Sequence, residues 1–330
     1  MAAETHRPSA RPLDSPSDFR PSARPPVRPS DFSMLLVCLI WGINFSMLKI
    51  GLRELPPFTL TAFRYVLATA VLWGVVRWLE PNARVERKVA LQLLGLGVIG
   101  NTIYQAGFIV GLTRTTASNS ALLIAATPVV TVVIGSLLGV EQITRAVGAA
   151  IAVGTVGVVM IVLGAHGVDF SLQTLSGDLL TLFGVLCWAF FTLGIRRVGF
   201  TAASPLQVTL LTTLGGTPGL LLLGLPGAVR VDWTALSWET WGALLYASLL
   251  SIVVCYLLWT RSVRTIGANR TALWGLTTPI FALSTAALVL GEHIRPLQMA
   301  GAAFILGSVA VNILAHWRQE PAAVPAEEGV

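Results

Sequence analysis

From Ser33 to His316 the chain is a succession of apolar runs separated by short polar or proline-bearing breaks. The pattern predicts ten helices, over 33–52, 57–79, 90–112, 116–138, 145–164, 177–196, 204–224, 239–259, 268–290 and 296–316. Each run is near the length of about 20 residues that crosses a bilayer. Pro56-Pro57, Pro81, Pro205, Pro226 and Pro296 mark breaks between them, as expected of a residue with a fixed φ and no N–H. The polar residues 1–32 are read as a disordered Pro/Arg-rich tail, since RPSARP occurs at 7–12 and 20–25 and PSDF at 16–19 and 29–32. Proline at that frequency forbids a helix. No apolar h-region precedes Ser33, so the tail is not read as a secretory signal. Residues 317–330 form a second tail.

One stretch is written twice. Residues 117–141 and 268–292 both carry Ala, then Ala-Leu, then Thr-Pro (Thr127-Pro128 and Thr278-Pro279), then a terminal Glu (Glu141 and Glu292), at one constant offset. A period of nearly half the chain indicates a duplication rather than a solenoid. The units are 33–164 and 177–316, five helices each. An odd number of spans makes the second unit enter from the opposite face, which gives an inverted repeat with a shared central cavity. Charge agrees with this. With alternating spans and a cytoplasmic N-terminus, sixteen Lys or Arg fall on the inner side and four on the outer, with Lys49 and Arg64 inside helices. That asymmetry is the positive-inside preference. The expected fold is therefore an all-α integral membrane protein of ten transmembrane helices, both termini cytoplasmic.

Composition removes other classes. Hydrophobic residues make up 54% and charged residues 12%, against about 25% charged in typical soluble chains. The pI of about 9.8 does not indicate nucleic acid, because the basic residues are scattered through loops and tails rather than gathered on one module. Cys38, Cys187 and Cys255 lie in apolar runs, and the four histidines lie at ends and loops; no metal site or cofactor is expected. No Walker loop, Asp-rich pair or Ser/His/Asp set is present, so neither an enzyme nor an ATP-driven pump is expected.

Trp41-Gly42-Ile43-Asn44-Phe45, Lys49-Ile50-Gly51, Pro57 and Arg64-Tyr65 open the first unit, and Cys187-Trp188-Ala189-Phe190, Arg196-Arg197 and Pro205 the second. With the two Thr-Pro…Glu segments, the chain resembles the EamA family of the drug/metabolite transporter superfamily over roughly 35–163 and 177–314. The resemblance implies transport of a small-molecule substrate, mostly export, across the bacterial plasma membrane, with proton coupling a common drive. It does not choose among amino acids, sugars, nucleosides and drugs, nor between export, import and facilitated movement.

Arg64 is the sharpest candidate. A charge at bilayer depth costs at least about 2.5–3.5 kcal/mol, so it should face a cavity or a partner, and could hold a substrate carboxylate or clamp helix-end carbonyls or Glu54. Trp41 and Asn44 share a helix face; with Trp188 they are candidates for a substrate wall, the alternative being helix packing. Lys49, near its helix end, is expected to snorkel. Tyr104, Gln105, Tyr256 and Trp274 differ between the repeats, as cavity residues for an asymmetric substrate would. Pro128 and Pro279 are read as helix hinges, and Ser118, Asn119 and Ser120 as N-caps. Glu141 with Arg145, and Glu292 with Arg295, are spaced to form gate ion pairs. Asp178 is read as a carboxylate opening the sixth helix, and no carboxylate is expected well inside a helix. Small residues in the fifth and tenth helices suit close approach or a homodimer face.

Overall fold

Every described segment of the apolar pattern is helical, yet several runs are not simple α-helices. The computed structural model describes residues 29–82, 84–137, 145–166, 172–198, 203–266, 274–275 and 277–317. The helices are α1 (Pro29–Gly51), α2 (Pro57–Leu79), α3 (Arg87–Gly97), α4 (Tyr104–Arg114), α5 (Ala117–Ile124), α6 (Thr127–Leu137), α7 (Arg145–His166), α8 (Leu172–Val198), α9 (Pro205–Ala228), α10 (Trp238–Leu245), α11 (Cys255–Ile266), α12 (Thr278–Leu290) and α13 (Pro296–Trp317). There is no strand among the described residues. Among the described residues, seven helical runs are long and apolar enough to cross a membrane: 32–51, 57–79, 87–114, 117–135, 172–195, 205–228 and 238–262.

Three departures from the expected elements matter for the site. The run 87–114 holds a π-helical segment, Val98–Ile103, and the run 238–266 holds another, Tyr246–Val254. Their ends fall at equivalent places, because the offset that carries Thr127 onto Thr278 also carries Ile103 onto Val254. The run from 117 breaks at Ala125–Ala126, so Thr127-Pro128 begins α6 instead of kinking a continuous helix. Pro279 likewise sits in the first turn of α12, where its missing N–H costs nothing. Finally, α1 begins at Pro29 and α8 at Leu172, each earlier than the apolar pattern indicated.

Starts and stops follow local chemistry. Ser204 and Gln207 form a reciprocal capping box before Pro205. Thr116 caps α5 by accepting from the Asn119 N–H; Ser118, Asn119 and Ser120, expected as caps, lie within the helix and are buried. Gly291 ends α12 with φ +68°, a left-handed conformation that glycine adopts without strain.

The strongest helix pairings are α7 with α13, α2 with α9, α4 with α8 and α1 with α12. Two of them join repeat-equivalent helices. Thr69 Oγ1 and Thr217 Oγ1 lie 2.7 Å apart across α2 and α9, and the same offset relates Pro57 to Pro205. In the α7–α13 pair, a Cβ on Gly157 would meet the Gly301 oxygen at 2.8 Å, and a Cβ on Gly301 would meet the Gly157 oxygen at 2.7 Å. Gly154 faces Ser308 and Gly164 faces Gln298, so the two helices run antiparallel and exchange their contacts symmetrically.

The α7–α13 crossing generates a test. Gly301→Val should destabilise the fold by about 1–3 kcal/mol through overpacking, lowering the melting temperature in detergent. Gly307→Ala, with nothing within 4 Å of its Cβ, should leave it unchanged or slightly raised.

Candidate functional site

Arg64 is buried at 2% exposure, in the second turn of α2. Its Nε and Nη2 both donate to the Ala247 carbonyl, at 3.3 and 3.4 Å. That carbonyl is available because it belongs to the π-helical segment 246–254, where the widened turn disturbs the regular i→i−4 ladder. The same segment supplies the Ser251 oxygen, which accepts from Trp41 Nε1 at 3.0 Å. Arg64 Nη1 has no hydrogen-bond partner. Tyr65, Tyr104 and Tyr256 lie within electrostatic reach of the guanidinium, and no described carboxylate does. The expected alternative clamp, Glu54, instead accepts the Ser237 N–H at 2.9 Å.

The proton accounting around Arg64 can be followed atom by atom. Tyr65 donates to Asn101 Oδ1 at 3.1 Å, and Asn101 Nδ2 donates to the Thr212 carbonyl at 2.7 Å. Gln105 Nε2 donates to the Tyr65 oxygen at 3.0 Å. Tyr65 has one proton and Asn101 receives it, so the 3.4 Å contact with Tyr256 is a donation from Tyr256. Gln105 Oε1 is then an acceptor without a partner, and so is Asn44 Oδ1. Gln105 and Tyr256 are equivalent positions of the repeat, so the Tyr65 hydroxyl stands between the two units. The close approach of α3 and the first π segment to α9 depends on Gly97, Gly215 and Gly216, where any Cβ would collide with backbone or with Asn101.

Aromatic rings enclose this polar centre. Tyr104 stacks on Phe108 (5.8 Å, 5°) and lies 5.2 Å from Trp188. Tyr256 is 5.9 Å from Trp188 and 6.2 Å from Trp41, which is 5.1 Å from Trp259. A narrow cleft runs between α8, α9 and α11. Trp188, Ile195, Thr209, Thr212, Tyr256 and Thr260 are among the residues that line it. Arg197 and Arg264 stand in the last turns of α8 and α11, and Arg261 one turn before Arg264.

The opposite end of the bundle is fastened. Glu292 accepts the Ala117 and Ser118 N–H groups at 2.8 and 3.0 Å, a carboxylate at the positive end of α5. Lys49 Nζ donates to the Thr115 carbonyl at 2.5 Å, so its head is engaged by protein rather than reaching out alone. The expected ion pair is absent: Arg295 reaches the Gly164 carbonyl at 3.3 Å, because the helix N-terminus offers Glu292 two donors. Glu141 lies outside the described residues, as does the Arg145 side chain.

Trp41, Arg64, Tyr104, Gln105, Trp188 and Tyr256 thus gather at one place. Asn44 lies one turn from Trp41 on α1. Trp274 packs with Trp41 and Trp259 around Met34, Val37 and Cys255, and its carbonyl accepts from Cys38 Sγ at 2.9 Å. Pro279 is buried in α12, and Pro128 stands in the first turn of α6. Tyr65 and Thr212 were not singled out by sequence. For Tyr65 the available signal was a second hydrogen-bonding residue beside Arg64 inside an apolar run.

A family model described as the EamA-like transporter family matches residues 28–163 and 175–314. An uncharacterized transporter of Bacillus subtilis (strain 168), YyaM, is 28% identical over 270 residues, covering 80% of this chain and 87% of the relative. A probable amino-acid metabolite efflux pump of Salmonella typhimurium is 28% identical over 291 residues, covering 84% and 93%. One crystal structure superposes with a TM-score of 0.60 at 17% identity, covering 88% of this chain and 99% of the other.

The fastened end makes a pH prediction. The Ser237 N–H, with the hydroxyls of Ser237 and Thr240, holds the Glu54 carboxyl below its ordinary range. A lowered folded-state value stabilises at neutral pH, above the unfolded-state value, and is lost as pH falls through the folded-state value. Glu54→Gln should therefore melt below the wild type at neutral pH, and the difference should close in strong acid. A difference independent of pH would contradict the assignment.

Proposed function

The chain belongs to the EamA-like transporter family, and from that premise we propose that it is a secondary transporter moving small anionic or zwitterionic metabolites, amino acids foremost, out of the cell by alternating access. Its several apolar helices make it a multi-pass membrane protein. The observation that carries the substrate reading is the free Nη1 of buried Arg64. A guanidinium with one carbonyl partner and no counterion among the described residues is costly in a low-dielectric interior, and a carboxylate placed on it offsets that cost. Gln105 Oε1 and Asn44 Oδ1 are acceptors suited to an ammonium group. The name of the Salmonella typhimurium relative, an amino-acid metabolite efflux pump, supports the same class.

The mechanism follows from two units of opposite orientation. Contacts such as Thr69 with Thr217, and the exchanging α7–α13 contacts, support a pseudo-two-fold axis perpendicular to the helices. In an inverted repeat of ten spans (33–164 and 177–316) that axis lies in the membrane plane, so Arg64 and Tyr65 stand near mid-bilayer. The end of the bundle that carries Arg197, Arg261 and Arg264 would then face the cytoplasm of a bacterial inner membrane, by the preference of Lys and Arg for that side, and both termini would lie there too. The end fastened by Glu54, Lys49 and Glu292 would face outward. Substrate enters the cleft, meets Arg64, and leaves when the latches exchange. A membrane potential, proton gradient or substrate gradient could each drive this cycle.

A second reading, import or facilitation of an uncharged solute such as a sugar or nucleoside, draws on the cleft walls, whose polar side-chain groups are threonine hydroxyls, one phenol and two indole N–H groups. Counterflow in proteoliposomes with labelled amino acids separates the two. The wild type should exchange at least one saturably, and Arg64→Ala, shown folded by gel filtration, should lose about ten- to hundredfold in apparent affinity, the worth of a hydrogen bond to a charged group. Unaltered exchange in the variant would remove Arg64 from the substrate site; exchange of sugars or nucleosides alone would favour the second reading.

A further inference from the structure

The cleft between α8, α9 and α11 has a wall without Lys, Arg, Asp or Glu, and its chemistry lies in where the hydroxyl protons go. Thr192 Oγ1 donates to the Trp188 carbonyl, Thr209 Oγ1 to the Pro205 carbonyl and Thr212 Oγ1 to the Val208 carbonyl, each at 2.8 Å. With the Thr209 proton spent, its 3.2 Å contact with Thr260 Oγ1 is a donation from Thr260. Tyr256 gives its proton to Tyr65, by the accounting above. Every hydroxyl on the wall therefore commits its proton to a neighbouring protein atom and keeps lone-pair capacity. The side-chain donors left on the wall are the indole N–H groups of Trp188 and Trp259.

Rings complete the wall. Trp188 lies 5.1 Å from Phe191 and 5.9 Å from Tyr256, and Tyr256 and Trp259 both pack on Trp41. A π-system attracts an ammonium group within about 6 Å of its centre, and hydroxyl lone pairs accept from its N–H groups. An anion in the same place meets two indole N–H groups and no cation. The nearby charges lean the same way. Glu80 accepts from Ser204 Oγ at 2.7 Å, five residues before Thr209 on α9, or about 7.5 Å along the helix axis. Arg197, Arg261 and Arg264 are exposed, so salt and water screen them. Arg64 is not on the wall; Tyr256 is the lining residue within electrostatic reach of its guanidinium.

We propose that this cleft is a subsite for a primary ammonium group, held by the rings of Trp188, Phe191, Tyr256 and Trp259 and by the hydroxyl oxygens of Thr192 and Thr260. It complements Arg64: one place takes a carboxylate and the other takes a cation. The substrate that fills both is an amino acid with a second, distal amine, such as lysine or ornithine. Its α-carboxylate lies on Arg64, its α-ammonium near Gln105 Oε1 and Asn44 Oδ1, and its distal ammonium in the cleft. This use in transport rests on the carrier reading above. Binding of an ammonium group in the cleft does not, and is measured without any transported substrate.

The test is a ligand-observed NMR titration of the full-length protein in detergent with n-propylammonium, its neutral counterpart 1-propanol, and propionate, at neutral pH where the amine is protonated. The wild type should bind n-propylammonium saturably and the other two at least about tenfold more weakly, the worth of hydrogen bonds to a charged group. Trp259→Leu should weaken n-propylammonium about three- to thirtyfold through the lost ring. Should that variant fail to fold, Thr192→Val decides, because it removes a hydroxyl oxygen at nearly constant volume and should also weaken binding. Arg64→Ala should hold n-propylammonium at least as tightly as the wild type, since a like charge is gone. No saturable binding, equal binding of propionate or 1-propanol, an unmoved affinity in the folded cleft variants, or weaker binding in Arg64→Ala would overturn the subsite. Counterflow then separates it from the carrier reading. Lysine should exchange in preference to norleucine, whose side chain lacks the distal amine. Exchange of both alike would keep the carrier and overturn the ammonium subsite as its selector, whereas saturable n-propylammonium binding with no amino acid exchanged would keep the subsite and overturn the amino-acid carrier.

Discussion

The donation of Arg64 to the Ala247 carbonyl is the contact on which the centre of the protein depends. It joins α2 of the first unit to the π segment of the second. It needs a guanidinium, because one carbonyl receives two donors while a third, Nη1, remains. It needs the π segment as well, since a carbonyl committed to a regular helical ladder is a poorer acceptor for an incoming side chain. A lysine could not substitute on equal terms, because its ammonium is a compact point charge without the planar fork. The sequence feature and the backbone irregularity are therefore one device.

Around that contact the duplication is used asymmetrically. Where the first unit has Gln105 the second has Tyr256, and both meet the single hydroxyl of Tyr65. The position equivalent to Arg64, by the offset joining Thr69 to Thr217, is Thr212, whose carbonyl takes the Asn101 amide. One unit thus contributes a cation and the other a neutral hydroxyl residue at matching depth. The shared offset supplies matching positions, and the differences at them give the centre a polarity. The first π segment holds no arginine, but Gly100 within it receives the Phe191 ring, so the same irregularity is used for packing.

Much of this was legible beforehand, and what was not has physical reasons. Apolar runs and the Thr-Pro…Glu repeat are one-dimensional signals, and the helices follow them. Arg64 was legible because a charge inside an apolar run has few places to go. The π segments were not, because one extra residue in a turn leaves hydropathy unchanged. Pro128 and Pro279 were read as kinks, although they begin helices, since a proline marks a disrupted ladder without saying on which side the helix restarts. The partner of Glu292 was misjudged because spacing to Arg295 is a local quantity, whereas the two free N–H groups of α5 come from a distant part of the chain.

Asp178 shows how such an error propagates. The segment LQTLSGD, at 172–178, contains Ser and Gly and looks like a loop leading into a helix, which places the carboxylate at the water boundary. Helix α8 nevertheless extends back to Leu172, because α4 packs against it through Gly111 and Gly177, where a Cβ on either residue would meet the partner's carbonyl oxygen at 2.8 and 2.9 Å. Glycine is used here for close approach, not for a turn. That approach carries Asp178 from the boundary to an interior position against Asn119. A carboxylate at a helix start is ordinary and needs no partner beyond water; the same residue more than a turn deeper must be satisfied by protein or take a proton.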